Sequence, residues 1–447
     1  MTVLPTFTNE LDPDALFGAA LAPFKRAILA VSGGPDSMAL MVLAARWIAS
    51  GRAPAGLRIE VATVDHRLRT GSDQEAEWVA ARAQALGLAH ATLVWSGEKP
   101  LSGVQEQARA ARYTLLAAHA RTQGPAAVVT AHTADDQGET LLMRLARGSG
   151  VDGLAGMAPS RPLLPDGSVS LVRPLLAVPK AALVAHLEDA GVAWLEDPSN
   201  ERHDFERVRL RRAGPQLAAL GLRNDRLALS AGRLSRARAA LEAVTNARLA
   251  AEVAIHGGVF ASLSRAAWQR EPEEIRVRML TRLLAAFGGA ARAARLSQVE
   301  ALEAALTRDE RPLAQTLGGC IVSKGRTTLR LYREPPAEES REVALAPGDE
   351  VTWDWRFRVR YAPLAEDQAE APAETVMLRP LGLAAYATLR ERLPRATRPP
   401  ARAAAGLPSI WRGEELLAVP PLAGPIANDG RFSAEFVGLA PEARGPR

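Results

Sequence analysis

Cysteine is almost absent from this chain: a single one, Cys320, stands among 447 residues. One cysteine excludes an internal disulfide, a CxxC metal site and a cysteine-ligated iron–sulfur cluster. Long apolar runs are missing too, so no membrane-spanning segment is expected. The first residues carry Glu10, Asp12 and Asp14 and lack a basic stretch ahead of an apolar core, so no signal peptide is expected. Together these absences predict a cytoplasmic protein. Lysine is scarce, with four in the chain, whereas Ala and Arg abound, a bias typical of high-GC genomes. No internal repeat is present. Apolar residues make up 47% of the chain, enough at this length for two or three domain cores. The net charge of +5 suits a nucleic-acid partner without requiring one.

The most informative string is Ser32-Gly33-Gly34-Pro35-Asp36-Ser37. It lies between a strand-like run, Ala27–Val31, and a helix-like run, Met38–Leu43. A strand, a Gly-rich turn and a helix start gather backbone N–H groups and the positive end of a helix dipole, which makes an anion site. Gly33 and Gly34 let the backbone approach a phosphate closely, and Ser32 and Ser37 add hydroxyl donors. Asp36 would repel phosphate unless a divalent cation lay between them. The loop has no lysine and does not follow the GxxxxGK[ST] pattern, so it is not a Walker A loop.

Residues 24 to about 195 alternate strand-like and helix-like segments. Strands are predicted at 27–32, 58–64, 90–95 and 126–131, with helices at 37–50, 72–86, 103–123, 134–147 and 178–191. This pattern predicts an α/β fold with a doubly wound parallel sheet, whose ligands bind beyond the carboxyl ends of the strands. The stretch from about 205 to 310 reads as mostly helical, 316–333 as a hairpin, and 334–341 as a Pro/Glu linker. Short strands and turns fill 342–447, with an acidic solvated loop at 366–374. The expected domains are 1–215, a helical middle domain at 216–333, and a small β-rich domain at 342–447.

Polar residues end two of the predicted strands. Strand 58–64 runs into Asp65-His66-Arg67-Leu68-Arg69, where Asp65 or Ser72 could also cap the next helix. Strand 126–131 runs into His132-Thr133-Ala134-Asp135-Asp136, followed by Glu139. Thr133 and Asp136 have capping-box spacing. Yet four ionisable groups within eight residues exceed what a cap needs. Asp36 and Asp136 could hold Mg²⁺ against phosphates, and His132 or a carboxylate could act as a general base. Arg109 and Arg112 share a helix face, where one could neutralise phosphate charge. Gly148 suits a helix C′ position, within a Gly-rich segment reaching Gly156. The basic run Arg207–Arg212 reads either as a solvated helix face or as contacts to an RNA backbone.

Taken together, these segments resemble the tRNA(Ile)-lysidine synthase family, whose motifs occur here in order from about 25 to 215. The SGGxDS loop is Ser32–Ser37, DHxLR is Asp65–Arg69, and ARxxRY is Ala108–Tyr113. The long HHxxDQxET…GLxGM signature spans 132–157, WxxDPSN is Trp194–Asn200, and RNxxR is Arg207–Arg211. Leu407–Trp411 before Ala418–Pro420 resembles the family's C-terminal domain. Two positions depart: Thr133 replaces a second histidine, and Val208 replaces an asparagine. The resemblance implies that ATP adenylates the C2 oxygen of the wobble cytidine in a CAU anticodon, after which L-lysine displaces AMP. It implies ATP binding by Ser32–Ser37, Asp65 and His66, Mg²⁺ on Asp36 and Asp136, and catalysis by Asp36, His132, Asp136 and Arg112. It further implies tRNA contacts from Arg207, Arg211 and the later domains. A homodimer is compatible with this reading, which leaves the oligomeric state open. A thiolase of the same loop class would need a catalytic cysteine or cluster ligands, and Cys320 lies far outside the loop domain. A non-catalytic RNA binder would not need an intact loop with Asp36 and Asp136.

Overall fold

The computed structural model describes residues 11–68, 71–97, 99, 102–121, 125–164, 166–196, 206–289, 294–308, 312–335, 342–362, 375–393, 398–422 and 430–438, without the side chains of 206 and 207. Two compact units divide the chain near residue 239.

The first unit is built from strands and helices in alternation. In order these are α1 (Pro13–Leu21), β1 (Arg26–Ala30), α2 (Pro35–Ala49), β2 (Arg58–Asp65), α3 (Ser72–Ala85), β3 (Ala89–Val94), α4 (Val104–Ala120) and β4 (Ala126–Val129). There follow α5 (Ala134–Ala146), α6 (Val151–Leu154), β5 (Ser160–Pro162), β6 (Val169–Val172), α7 (Lys180–Asp189), α8 (Glu206–Arg212), α9 (Gly214–Ala219) and α10 (Asn224–Glu252), whose last residues, from Ala240, belong to the second unit. The sheet runs β3-β2-β1-β4-β6-β5. All neighbours are parallel except the edge pair of β5 and β6. The predicted strands and helices of this region are thus present, with ends shifted by a few residues.

Both faces of the sheet are covered, which explains why the strands read as continuous apolar runs. Along β1, Ala27 and Leu29 point into one core with Met38, Leu43, Trp47 and Leu183. Ile28 points into the opposite core with Leu116, Val128 and Leu171. Phe17 and Trp47 pack with ring centroids 5.5 Å apart, and the Trp47 indole donates to Asp14 at 2.9 Å. Fully burying an aromatic of this size contributes about 3 kcal/mol, so α1 is welded to α2 rather than loosely attached. Strand order reverses at β1, whose neighbours β2 and β4 lie on opposite sides. The loops leaving β1 and β4 therefore flank the crevice where doubly wound sheets bind ligands.

Among the described residues, the second unit, Ala240–Ala443, carries three antiparallel sheets. Helices dominate the middle region as expected. It also holds a five-stranded sheet in the order 254–256, 260–264, 328–333, 320–324 and 313–317. The expected hairpin is its 320–324/328–333 pair, extended by 313–317. Strands 254–256 and 260–264 differ from the helical expectation: Phe260–Ser264 is five residues long and its burial does not alternate, so it offers no period-2 signal against an Ala- and Arg-rich background. Four-stranded and three-stranded sheets follow in the final region, as expected there. Val259, Phe260, Ile321 and Tyr332 share one core with Leu345, Phe357, Leu378 and Ile410. Residues on both sides of 334–341 thus pack together.

Candidate active site

The loop between β1 and α2 is held by its own polar groups. Ser37 Oγ donates to the Gly34 carbonyl at 2.9 Å and accepts from the Ser32 N–H at 3.2 Å. Gly33 has φ +92°, a left-handed value that side chains resist. A Cβ there would also stand 2.7 Å from Leu195 Cδ1. The Gly33 carbonyl accepts from the Leu195 N–H at 2.9 Å, so the segment beginning at Trp194 braces the loop from below. Gly34 caps α2 through backbone alone, with Pro35 in the first turn, and a Cβ at Gly34 would meet nothing within 4 Å. That open side adjoins the start of α2, whose first N–H groups have no intrahelical acceptor.

Asp36 stands in the first turn of α2, half-buried. Its Oδ1 is buried with no hydrogen-bond partner, and its Oδ2 lies 3.5 Å from Lys180 Nζ. Burial raises its proton affinity; Lys180 opposes this, while the negative charges of Asp136 and Asp135 add to it. Asp135 Oδ2 accepts from the Lys180 N–H at 2.8 Å, and its Oδ1 accepts from Asn224 Nδ2 at 2.9 Å. The capping box forms as its spacing predicts, with Asp136 Oδ2 accepting from the Thr133 N–H at 2.8 Å. Asp136 Oδ1 remains directed to Arg211, 3.9 Å away. Arg211 itself grips buried Glu139, with Nε to Oε1 at 2.5 Å and Nη2 to Oε2 at 3.3 Å. His132 is fixed by Thr130 Oγ1, 2.9 Å from its Nδ1.

At the end of β2, buried Asp65 accepts at 2.9 Å from the N–H of Arg67, which itself takes φ +49°. Burial pushes the Asp65 carboxyl up, but the Ser72 hydroxyl and the Arg67 N–H outweigh it and hold it below the usual range. The helix cap suggested by the sequence does not form: Gly71 is the N-cap of α3, with no side-chain cap hydrogen bond, and Asp65 instead closes the turn that carries His66. His66 Nε2 is 3.4 Å from Arg112 Nη2, and its ring meets Trp95 edge-on at 5.8 Å. Burial, reinforced by Arg112, pushes the imidazole down to about 4, so it is neutral near pH 7. Arg112 is open to solvent yet walled by protein, and desolvation is the largest influence lowering its proton affinity.

The structure thus brings the expected residues Ser32–Ser37, His132 and Asp136 to the carboxyl edge around the β1–β4 crevice, with Asp65, His66 and Arg112 beside them at β2. Arg211, expected among RNA contacts, is engaged with Glu139 and Asp136. Arg69, Asp197–Asn200 and the Arg207 side chain lie outside the described residues. Sequence reasoning passed over Lys180. A cation in the first turn of a helix opposes the dipole, and in a chain with four lysines that placement was the available signal. Among the described residues no group of three or more His, Cys, Asp or Glu is arranged to hold a metal. Mg²⁺ needs only one or two protein carboxylates when substrate phosphates and water complete its shell, and the partnerless Asp36 Oδ1 fits that demand. Cys320 is buried in the second unit, its thiol pushed up to about 12 by burial, and is therefore inert.

The parallel sheet, the SGGPDS loop and the facing carboxylates define a PP-loop domain, and residues 8–217 match that family. The tRNA(Ile)-lysidine synthase of Bradyrhizobium sp. strain BTAi1 is 46% identical over 334 residues, covering 70% of this chain and 91% of the relative. That of Ruegeria pomeroyi is 41% identical over 407 residues, covering 91% and 90%. That of Methylobacterium sp. strain 4-46 is 44% identical over 352 residues, covering 75% and 98%. The chain belongs to the tRNA(Ile)-lysidine synthase family, ATP-dependent ligases built on a PP-loop domain. Among the described residues no helix is long and apolar enough to cross a membrane.

Proposed function

We propose that this chain joins L-lysine to C2 of the wobble cytidine in a CAU-anticodon tRNA(Ile), consuming ATP and releasing pyrophosphate and AMP. The observation that carries the reading is the Asp36 carboxylate. It is buried on one oxygen, its proton affinity is raised in part by the charge of Asp136, and it stands in the first turn of the helix that follows the glycine loop. Two carboxylates whose charges act on one another are unfavourable without a cation, and a phosphate beside them equally so. Mg²⁺ held by Asp36 and Asp136 would neutralise both and polarise the phosphoryl group under attack. Lys180, now paired to Asp36, supplies the phosphate-directed cation that the loop itself lacks.

The remaining residues divide the work. Ser32 and the Gly33–Gly34 backbone receive the pyrophosphate portion of ATP, while Ser37 keeps the loop in shape. Arg112 stabilises charge developing on the transferred phosphoryl group. Neutral His66 keeps the neighbouring face of the pocket uncharged. Forming the carbon–nitrogen bond requires the lysine ε-amine in its neutral form, since an ammonium has no lone pair. His132 or a carboxylate beside it takes that proton. The C2–O bond then breaks and AMP leaves. Arg211 orders Glu139 and Asp136 around the same point. The β-rich second unit holds the tRNA body, chiefly through phosphates, in the cytoplasm.

The test is incorporation of labelled lysine into an isoleucine tRNA transcript with a CAU anticodon, beside an elongator methionine tRNA with the same anticodon. Label in the isoleucine transcript alone is expected. RNA-dependent AMP release without label would retain the adenylation chemistry and overturn lysine as the nucleophile. Neither label nor AMP would overturn the whole reading.

A further inference from the structure

The same sheet edge carries a cluster of arginines for which the roles above have no use. Arg173 directly follows β6. It is 5% exposed, and its Nη1 donates to the Ala158 carbonyl at 2.7 Å. Its Nε is buried with no hydrogen-bond partner. The groups facing it are the Tyr113 hydroxyl, Arg161 and Arg109. Arg109 also lies 5.2 Å above the Tyr113 ring. Arg161 is on edge strand β5, whose Ser160 pairs with Val172 at the carboxyl end of β6. Neither Arg109, Arg161 nor Arg173 is ion-paired to a carboxylate among the described residues. A buried guanidinium with an idle N–H, crowded by two like charges, is costly unless an anion completes it. Burial and those two arginines accordingly lower the proton affinity of Arg173.

Position decides which anion. β6 is two strands from β1 in the sheet order. At about 4.8 Å per strand, Arg173 lies about 10 Å to one side of the glycine loop, too far to share the same phosphate. We propose that Arg173, Arg161 and Arg109, gathered around Tyr113, form a second oxyanion site that takes a backbone phosphate of the RNA substrate beside the nucleotide being modified. This rests on RNA being the substrate, as proposed above. The guanidinium fork of Arg173 supplies the geometry, and exposed Arg109 and half-exposed Arg161 supply charge at the rim. Phosphate contacts of this kind fix register rather than read sequence, so the site would place the target base over the crevice.

The experiment compares the full-length R173Q, R161Q and R109Q variants with the parent. It measures binding of the isoleucine transcript over a series of salt concentrations, and separately ATP binding without RNA. One lost phosphate contact lowers the slope of log K against log salt by about 0.7 for single-stranded RNA. R173Q is expected to show that drop and roughly tenfold weaker RNA binding, with ATP affinity unchanged. R161Q and R109Q, which are more exposed and safer for folding, should each give part of the same change. Unchanged salt slopes in R161Q and R109Q would overturn the proposal even if R173Q failed to fold. Weakened ATP binding with intact RNA binding would reassign the cluster to the nucleotide. Since RNA binding is read without turnover, failure of lysine incorporation would not be mistaken for failure of this site.

Discussion

Replacing Arg211 with glutamine separates two roles that the basic run 207–212 could play. If Arg211 were a solvated RNA contact, R211Q would weaken tRNA binding, lower its salt slope and leave folding stability untouched. The structure instead gives it two contacts to Glu139, at 2.5 and 3.3 Å, and a longer one of 3.9 Å to Asp136. The Glu139 side chain is 7% exposed and that of Arg211 48%. At an effective dielectric of about 20, unit charges at contact distance attract by about 5–6 kcal/mol. Dehydrating Glu139 offsets much of this, and solvent on the open side of Arg211 screens more. The net coupling is therefore about 1–2 kcal/mol. In urea unfolding, R211Q should lose about that much, because it removes the cation paired with a buried carboxylate. E139Q should lose a similar amount, and the E139Q/R211Q double variant less than the sum of the two, by roughly 1 kcal/mol. Additive losses, or an unaltered unfolding midpoint in R211Q with a flattened tRNA salt slope, would refute the internal pairing and return Arg211 to the RNA surface.

Gly33→Ala should lower stability by about 1–3 kcal/mol, since a left-handed backbone and a 2.7 Å contact with Leu195 both oppose the methyl group. Adding Leu195→Ala should not restore ATP–pyrophosphate exchange, because the backbone strain remains; full recovery would show that the contact alone mattered. Asp36→Asn should cut turnover by roughly 100-fold or more, yet raise the thermal midpoint of the ligand-free protein at pH 7.5. The fold lifts the Asp36 carboxyl above its unfolded value of 3.8, so it favours the protonated form. Stability therefore falls as pH rises through that window and stays lower above it; a lowered midpoint in calorimetry would contradict this. His66, pushed from 6.5 to about 4, is neutral in the fold and charged in the unfolded chain below pH 6.5. Its contribution is full above pH 6.5 and is lost as pH falls toward 4. An NMR titration of His66 with an inflection between pH 6 and 7 would show the ring to be more open than the structure has it.

The fold was legible where one physical rule dominated. In the first unit, β/α alternation with apolar strands predicted a parallel sheet covered on both faces, and the SGGPDS turn marked its ligand edge. The Thr133–Asp136 cap could also be read, because four residues contain all of it. Legibility failed where the deciding partner is distant or the segment short. Strands 254–256 and 260–264 were absorbed into a helical composition. Glu139 and Arg211 are 72 residues apart, and Asp36 and Lys180 are twice that distance, so no local spacing announces either pair. Capping-box spacing also proved compatible with a functional carboxylate: Asp136 uses one oxygen for the cap and presents the other to the site. Four residues of the first unit, some read from the sequence and some not, share a trait. Lys180 opposes a helix dipole, Asp36 buries an oxygen without a partner, Arg173 buries an idle N–H, and Arg67 takes a left-handed backbone conformation. Each is locally unfavourable, and each lies along the carboxyl edge of one sheet. A folded chain tolerates such conflicts where a ligand resolves them. Conflicts of this kind along the ligand edge of the sheet therefore fit a substrate there, on physical grounds independent of any motif.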